Sequence, residues 1–520
     1  MLALLLLAPM GRLAWEGFGQ QSGPALWAFL TLLLQDDYWQ WRVVWTLVQA
    51  GVTCLAALLL GLPIAWVLAR LEFVGRTAVL RLLLLPFVVP TLVAALGVLA
   101  LLGPSGLVTQ ALGLESYGLQ DTPWLLLYGN LFFNLCLVVR AGVDGLENVS
   151  SSTLAAARTL GASPWRAFWR VEWPVLQPWL GAGLCLVFLQ CFAGFGLALV
   201  LGGQRYATVE VEIYTLVAHE LKLAEASILA IGMLLVTASI ALVYAWVEKS
   251  LATPKNSAFI PVQRLSVQTA RRQLALAAAL AVLACVCAAP LLAIVWVGLT
   301  AGSQAWAKLL EPDVLDALGN TLMFSGIALV LATALGLLHA LAAARKPERL
   351  WLRAAAFLPL VASPVTVAFG LLLLYPQASA SLGLLLAAYA LLAYPFVARA
   401  VASSLDSLPA NVLLAARSLG ASPARLFWRV TLPLIRPALR RGMAFAAATA
   451  LGEFAVTLFL SRPEWATLST LIYERLGRPG SANRETAMLM SCLLMTLALL
   501  AFWAIEWPEN SNRPKKQTPL

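Results

Sequence analysis

The sequence predicts an all-α integral membrane protein with about twelve transmembrane helices in two parallel six-helix repeats. Its 520 residues are 61% hydrophobic and 12% charged, whereas soluble domains carry about 25% charged residues. Apolar runs of about eighteen residues or more recur, each long enough to cross a hydrocarbon core of roughly 30 Å. One 25-residue segment occurs twice, 259 positions apart. Lipid is therefore the expected solvent, and the repeat sets the expected architecture.

Apolar runs bounded by turn and charge signals place the individual spans. After a short N-terminal stub, the first half is predicted to span the membrane at Val43–Leu68, Leu80–Leu102, Trp124–Val143, Trp179–Leu201 and Ala226–Val247. The second half is predicted to span it at Leu274–Leu299, Leu318–Ala344, Ala354–Tyr375, Leu382–Val401, Gly442–Leu460 and Ala487–Trp507.

These spans divide the chain into four parts. Residues 1–248 are predicted to form a first transmembrane domain, 249–273 a cytoplasmic linker, 274–507 a second transmembrane domain and 508–520 a polar cytoplasmic tail. The apolar stretch Met1–Pro9 has no basic residues before it and is too short to span a bilayer. We therefore expect no cleaved signal peptide there, and interpret the stretch as the shortened first helix of the first domain.

The net charge of +10 follows from topology. Most Lys and Arg residues fall in one set of loops, which the positive-inside bias assigns to the cytoplasm. Both copies of the repeated segment lie in that set, and an even number of predicted spans separates them. Such copies form a parallel repeat about an axis along the membrane normal. The basic residues need no nucleic-acid partner, and we expect a multi-pass protein of the bacterial inner membrane.

Residues that could carry catalysis or hold a metal are scarce. The two histidines, His219 and His339, have no ligand partners near them in the sequence, and the seven cysteines lie in apolar stretches without metal-ligand spacing. The sequence has no glycine-rich phosphate loop and no nucleophile triad. No metal, cofactor or catalytic site is therefore expected in this chain, and any catalysis is expected from a partner.

The repeated segment is the strongest motif. Leu154–Pro178 matches Leu413–Pro437 at 16 of 25 positions without a gap. Such a segment could be a cytoplasmic loop that packs on its own bundle, or it could bind another protein. Because the copies are nearly identical while the flanking spans have diverged, we favour a shared partner with two-fold symmetry on the cytoplasmic face.

The residue pattern of the first copy predicts a helix, a sharp turn and a second helix. Ser150–Ser152 are candidate N-caps, and Gly161 is typical of a helix stop. Ser163 is then expected to cap a short helix, Trp165–Trp173, whose aromatic and basic residues suit the headgroup layer. Pro164 would be the first residue of that helix, and Pro174 would begin the next span. The first helix is left projecting into water.

This segment resembles the cytoplasmic "EAA" loop of ATP-binding-cassette importer permeases, Glu-Ala-Ala-x3-Gly-x9-Ile-x-Leu-Pro. The glutamate is replaced by Ala155 and Leu414, and Trp173 replaces the leucine. The resemblance implies the MetI-like fold of type I importers, a dimer of cytoplasmic ATPases that uses ATP-Mg, and a periplasmic solute-binding protein. The residues it implies for ATPase coupling are Ala155, Ala156, Ala157, Gly161 and Pro174, with Leu414, Ala415, Ala416, Gly420 and Pro433 in the second copy.

Fusion of both permease halves in one chain resembles the thiamine and ferric-iron importers of this family. Several segments look most like the permeases for thiamine and thiamine pyrophosphate: Tyr117–Gln120, Asn130–Asn134, Cys191–Phe195, Thr208–Tyr214, Gly452–Phe454, Leu471–Tyr473 and Gly477–Gly480. Two alternatives stay open. One is the same class with ferric iron, sulfate or polyamine as cargo, and the other is a secondary transporter driven by an ion gradient.

Glu453 lies inside a predicted span, where a charge costs roughly 2.5–3.5 kcal/mol on insertion scales, so it must face protein or water. Its repeat counterpart is Gly194. Because thiamine carries a cationic thiazolium ring, Glu453 with Phe195 and Phe454 is a candidate substrate pathway. The alternative is a structural or gating carboxylate.

The external loops 202–224 and 461–485 are repeat-related, and both carry Ala-Thr followed by Ile-Tyr. By resemblance they would be re-entrant gates or would contact the solute-binding protein. Packing of Ile and Tyr against the bundle explains the pattern equally well.

Overall fold

The fold was determined as a computed structural model, which describes residues 2–19, 34–113, 122–251, 262–345, 355–378, 381–460 and 462–506, with the single residues 27, 31, 119, 260 and 352. Nine helices within these residues are long and apolar enough to cross a membrane, and Pro364–Leu374 is a shorter apolar helix. The predicted all-α membrane fold is confirmed. The predicted tail 508–520, linker residues 252–259 and most of Tyr117–Gln120 lie outside the described residues.

The chain forms two compact units that do not follow chain order. Unit A comprises Leu13–Phe87 and Ala94–Thr300, and unit B comprises Met1–Arg12, Val88–Val93 and Ala301–Leu520. The first predicted span of the second domain, Leu274–Leu299, thus belongs to unit A. The repeat-based division at residues 248 and 274 stays a prediction.

The N-terminal segment is helical, with π-helical turns at Ala3–Leu7 and Trp15–Gly19 on either side of α1 (Ala8–Ala14). The helices of unit A are α2 (Asp37–Arg70), α3 (Arg76–Leu82), α4 (Leu85–Val88), α5 (Thr91–Leu102), α6 (Leu107–Ala111), α7 (Trp124–Glu147), α8 (Ser151–Thr159), α9 (Pro164–Ala167), α10 (Trp173–Phe192), α11 (Gly196–Leu201), α12 (Val209–Thr215), α13 (Leu223–Leu251), α14 (Ala270–Leu283) and α15 (Ala289–Thr300). Its further π-helical turns are Phe168–Glu172, Leu216–Glu220 and Ala284–Ala288, and two short strands, β1 (Leu71–Glu72) and β2 (Leu265–Ser266), pair in parallel. The last residue of α4 and the first three residues of α5 belong to unit B.

The helices of unit B are α16 (Ser303–Ala307), α17 (Pro312–Arg345), α18 (Leu358–Val361), α19 (Pro364–Leu374), α20 (Leu382–Asp406), α21 (Ala410–Ser418), α22 (Pro423–Leu426), α23 (Leu432–Leu451), α24 (Ala455–Leu460), α25 (Leu468–Gly477) and α26 (Ser481–Glu506). A π-helical turn, Phe427–Thr431, joins α22 to α23, and Lys308–Leu310 and Pro463–Trp465 are 3₁₀-helical.

The two units repeat the same packing order. In unit A, α2 packs on α7, α7 on α10 and α10 on α13; in unit B, α17 packs on α20, α20 on α23 and α23 on α26. A Cβ on Gly61 of α2 would lie 3.0 Å from Val138, and one on Gly336 of α17 would lie 2.7 Å from Val397. Because a helix can approach this closely only without a Cβ, the equivalent glycines set the helix spacing in both units.

Four predicted spans are broken. The predicted span Ala354–Tyr375 is divided into α18 and α19, with the break at Ala362–Ser363. The predicted span Leu80–Leu102 is divided into α3, α4 and α5, since Pro86 and Pro90 lack the N–H that a continuous helix needs. The predicted spans Trp179–Leu201 and Gly442–Leu460 each contain a helix end followed by a separate short helix. The break falls at Ala193–Phe195 in one copy and at Gly452–Phe454 in the other, so it is part of the repeat.

Candidate functional site

The first copy of the repeated segment folds as a helix, a tight turn and a second helix. Helix α8 is followed by Gly161, whose φ is +79°. The Ala162 N–H donates to the Ala157 carbonyl at 3.0 Å, and the Gly161 N–H donates to the Arg158 carbonyl at 3.0 Å. This paired closure of a helix end requires a left-handed residue, which favours glycine. The predicted glycine stop is confirmed.

The second copy reproduces this geometry. Helix α21 is followed by Gly420, whose φ is +78°. The Ala421 N–H donates to the Ala416 carbonyl at 3.1 Å, and the Gly420 N–H donates to the Arg417 carbonyl at 2.9 Å. The sequence repeat is therefore also a repeat of backbone conformation.

The helix after each turn begins where the sequence predicts. The Ser163 hydroxyl accepts the Arg166 N–H at 3.4 Å, and the Ser422 hydroxyl accepts the Arg425 N–H at 3.4 Å. A proline follows each serine at the first helical position, where its missing N–H has no partner to lose.

The proposed coupling surface of each copy is open to solvent. Leu160 is 88% exposed and Leu419 is 87% exposed, and the first helix of each copy exposes most of its residues. A Cβ built on either Gly161 or Gly420 would meet no atom within 4 Å. The first helix of each copy is thus largely exposed, and its projection into water stays a prediction. We call α8 with Leu160–Gly161 the first coupling helix, and α21 with Leu419–Gly420 the second.

Pro174 lies in the first turn of α10, as predicted, but α10 continues the preceding helical turns without a break. Pro164–Phe192 is one helix of 29 residues. Its π-helical turn ends with the Trp173 N–H donating to the Phe168 carbonyl, and Leu432 and Phe427 form the same bond in the second copy. The wide turn lets each proline enter near the start of the following α-helical stretch, where a missing N–H does not break the helix.

A buried ion pair ties the first copy to the end of α2. The Arg70 guanidinium bonds to the Glu172 carboxylate, and both side chains are under 10% exposed. Glu172 is the last residue of the π-helical turn Phe168–Glu172, within the repeated segment Leu154–Pro178. Removing one member of such a pair leaves a buried charge uncompensated, which costs about 3–5 kcal/mol.

The repeat-related external segments pack against the bundle. The Val209 N–H donates to the Thr46 hydroxyl at 3.0 Å, and the Leu468 N–H donates to the Thr321 hydroxyl at 2.9 Å. Each bond joins the start of a short helix to the long first helix of its unit. Ile213 and Ile472 are fully buried, so packing accounts for the repeated Ile-Tyr pattern. A gating role stays a prediction.

Glu453 is buried, and its position favours a structural role. One carboxylate oxygen accepts the Val456 N–H at 2.9 Å, which caps the first turn of α24. Tyr389 donates to the Glu453 carbonyl at 3.4 Å and also bonds to the Thr457 hydroxyl. A carboxylate at a helix N-terminus is stabilised by the unpaired N–H groups there.

The two candidate pathway phenylalanines are equivalent in their own units. The Phe195 ring packs edge-on against Tyr214 at 5.6 Å, and the Phe454 ring packs edge-on against Tyr473 at 5.4 Å. Both phenylalanines are at most 5% exposed. Their place in a substrate pathway stays a prediction.

Sequence reasoning missed a buried cluster at the external end of unit A. The Arg42 guanidinium lies 2.8 Å from the Glu212 carboxylate, and the Tyr38 hydroxyl donates to that carboxylate at 2.7 Å. Arg42 directly precedes the predicted span Val43–Leu68, and Glu212 lies in the external loop 202–224, so the sequence pattern places neither charge inside the membrane and carries no signal of their pairing.

Comparison with known proteins matches both halves of the chain to one family. The family model for the binding-protein-dependent transport system inner membrane component matches residues 57–253 and again residues 332–511. Each matched stretch contains one coupling helix.

Several relatives match over most of their length. The thiamine transport system permease protein ThiP of Escherichia coli (strain K12) is 28% identical over 517 residues, which cover 93% of each chain. The protein of the same name from Haemophilus influenzae is 25% identical and covers 89% of this chain and 88% of that one. The molybdenum transport system permease protein ModB of Azotobacter vinelandii is 34% identical over 196 residues, 36% of this chain and 85% of that one.

A crystal structure of a bacterial importer of the acidic polysaccharide alginate aligns with a TM-score of 0.41 at 18% identity, over 48% of this chain and 92% of that one.

Proposed function

Because this chain belongs to the family of binding-protein-dependent transport system inner membrane components, it is an ATP-binding-cassette importer permease, and we propose that its cargo is thiamine, together with thiamine pyrophosphate. The multi-pass inner-membrane location and the importer class expected from the EAA-like segment are confirmed. Members of this family are the translocation subunits of their importers, so a partner is proposed to hydrolyse ATP.

The thiamine assignment is supported by coverage. The thiamine permeases match this chain nearly from end to end, through both permease halves. The molybdenum permease has a higher identity but matches only about a third of this chain. For assigning the cargo, a match along the whole chain is stronger support than a higher identity over one part of it. The whole permease, rather than one half, builds the cargo pathway.

Other cargoes are less well supported. Ferric iron, sulfate and polyamines remain the alternatives within the importer class, and the match to the molybdenum permease over about a third of this chain adds molybdenum. A secondary transporter driven by an ion gradient is not consistent with the family match.

Coupling to ATP is proposed to occur at the two coupling helices. A dimer of cytoplasmic ATPases would bind one coupling helix with each subunit, at Ala155–Gly161 and at Leu414–Gly420. The duplicated backbone geometry supports this, since two identical ATPase grooves need two equivalent helices. Closure of the ATPase dimer on ATP would draw the coupling helices together and open the permease to the outside.

Cargo is proposed to arrive on a periplasmic solute-binding protein. Within the permease, the carboxylate of Glu453 is the candidate group for the cationic thiazolium ring, with Phe195 and Phe454 as aromatic surfaces. Cation–π contacts and a buried carboxylate are the features that would recognise such a ring.

The test is uptake into proteoliposomes. The tagged chain is purified with its ATPase from the native host, reconstituted, and supplied with the solute-binding protein and radiolabelled thiamine, with and without ATP. Uptake that requires ATP and is competed by unlabelled thiamine pyrophosphate supports the proposal. ATP-dependent uptake of ferric iron or molybdenum, without thiamine uptake, would keep the coupling mechanism and reject the cargo.

A further inference from the structure

The linker between the two permease halves returns to the bundle beside the first coupling helix. The carbonyl of Ile260 accepts the N–H of Ser151 at 2.9 Å, and Ser151 is the first residue of α8. The first N–H groups of a helix have no partner within the helix and need an external acceptor. Ser150 holds the N-cap position, but its side chain makes no capping bond and instead contacts the Ser152 hydroxyl at 2.7 Å. The linker carbonyl therefore supplies an acceptor that the expected serine cap does not.

A strand pair fixes the linker to the end of α2. Leu265 pairs with Leu71, and Ser266 pairs with Glu72, in a parallel register. Strand β1 follows Arg70 directly, and Arg70 holds the π-helical turn through Glu172. The linker is thus joined to the C-terminal end of α2. Arg70 at that end also bonds to Glu172, in the π-helical turn that follows the first coupling helix.

Arg264 bridges two helix ends. Its guanidinium lies 3.0 Å from the Glu72 carboxylate and 3.1 Å from the Glu147 carboxylate. Glu147 is the last residue of α7, only a few residues before α8, and it also bonds to Arg76 at 2.6 Å. Arg264 therefore fixes the linker relative to the point where the chain leaves α7 for the first coupling helix.

The first coupling helix has little packing of its own. Leu154 is its one buried residue. A cavity of about 580 Å³ lies beneath it, lined by Leu154 and Trp165, by Trp66 of α2, and by Val262 and Leu265 of the linker. A helix that borders a cavity gains few van der Waals contacts on that side. Besides its packing on α9 and on the π-helical turn Phe168–Glu172, the bond at its N-terminal end helps to fix its orientation.

We propose that Ile260 and linker residues 262–266 position the first coupling helix for the ATPase, with Arg264 as the positioning residue. The inference rests on the proposed docking of an ATPase at this helix. The fused chain thereby uses its connecting segment as part of the coupling apparatus, and force applied to the coupling helix passes through the linker to α2 and α7.

The experiment uses the full chain reconstituted with its ATPase and solute-binding protein. Arg264→Ala is expected to lower cargo-stimulated ATP hydrolysis about fivefold, since the lost bonds are partly exposed ion pairs worth at most about 1 kcal/mol. Hydrolysis without cargo is expected to stay unchanged. Arg271→Ala, which removes the same charge from an exposed site at the end of the linker, is the matched control and should behave as the wild type.

Two further measurements separate positioning from general damage. Hydrogen exchange of the amides in Ser151–Thr159 should speed up in Arg264→Ala and stay at the wild-type rate in Arg271→Ala. The charge exchange Arg264→Glu with Glu72→Arg should restore stimulation that Arg264→Glu alone abolishes. Leu265→Pro, which disrupts the strand pair without changing charge, should reproduce the Arg264→Ala defect.

The outcomes distinguish the two proposals. If the wild type shows no cargo-stimulated hydrolysis with any of the candidate cargoes, the proposed function fails. If cargo stimulates ATP hydrolysis by the wild type, and stimulates it to the same extent in Arg264→Ala and in Leu265→Pro, the proposed function stands and the linker has no positioning role.

Discussion

Replacing both turn glycines by tryptophan tests the coupling surface most directly. In Gly161→Trp with Gly420→Trp, each new side chain starts from a position where a Cβ meets no atom within 4 Å. The permease therefore has room for the first atom of the new side chain. The left-handed backbone at φ +79° and +78° adds strain of about 1–2 kcal/mol at each site. An ATPase that approaches either backbone closely would meet an indole ring in its path.

The expected result is loss of coupling without loss of folding. ATP-driven uptake and cargo-stimulated hydrolysis should fall by at least about tenfold, the effect of roughly 1.4 kcal/mol of lost docking free energy. The amount of inserted, monodisperse permease should match the wild type. Uptake is measured in proteoliposomes, and ATPase retention by co-purification through the tagged chain.

A matched control isolates docking from backbone strain. Gly113 has φ +63°, and a Cβ on it meets no atom within 4 Å. Gly113→Trp therefore carries strain and bulk similar to those at each turn glycine, away from the coupling helices, and should keep uptake. Unchanged ATP-driven uptake in the Gly161 and Gly420 double variant would refute the docking argument, as would an equal loss in the control.

Three further predictions concern buried polar contacts. Glu172→Ala should lower the free energy of unfolding by about 3–5 kcal/mol because it leaves the Arg70 charge buried and unpaired. The double variant Glu172→Ala with Arg70→Met should recover much of this loss, and an equal loss in the single and the double variant would contradict the ion-pair account. Thr46→Val and Thr321→Val should each cost about 1–3 kcal/mol by leaving a backbone N–H without its acceptor, measured by thermal unfolding in detergent; a loss at only one site would contradict their equivalence. Glu453→Gln keeps an acceptor oxygen for the helix cap, so stability should change by less than about 1 kcal/mol, while thiamine uptake should fall if the carboxylate charge serves the cation; full uptake would remove Glu453 from the pathway.

The sequence reveals the repeat only where equivalent residues of the two copies are separated by a constant 259 positions. The 259-residue spacing links Gly161 to Gly420, and the structure gives these glycines the same backbone. The long helices α2 and α17 are also equivalent, because Thr46 and Thr321 accept equivalent N–H groups. Those threonines are 275 residues apart, so the 259-residue spacing did not find them. A comparison of the two halves at several spacings would have paired these threonines.

The short-range features of the coupling helices were determined by the sequence itself. Glycine tolerates positive φ and serine accepts a neighbouring N–H, and both effects act within a few residues. The all-helical membrane class was determined in the same way, by apolar length and by the scarcity of charge.

Only the tertiary structure decided which distant groups meet. The pairing of Arg70 with Glu172, the return of Arg264 to Glu72 and Glu147, and the carbonyl of Ile260 at the start of α8 all join residues far apart in sequence. Their side chains carry no periodic signal, because an ion pair depends on where helix ends converge rather than on local pattern. Helix breaks at Phe195 and Phe454 likewise depend on how each unit packs, which is why continuous spans were predicted there and interrupted ones were found.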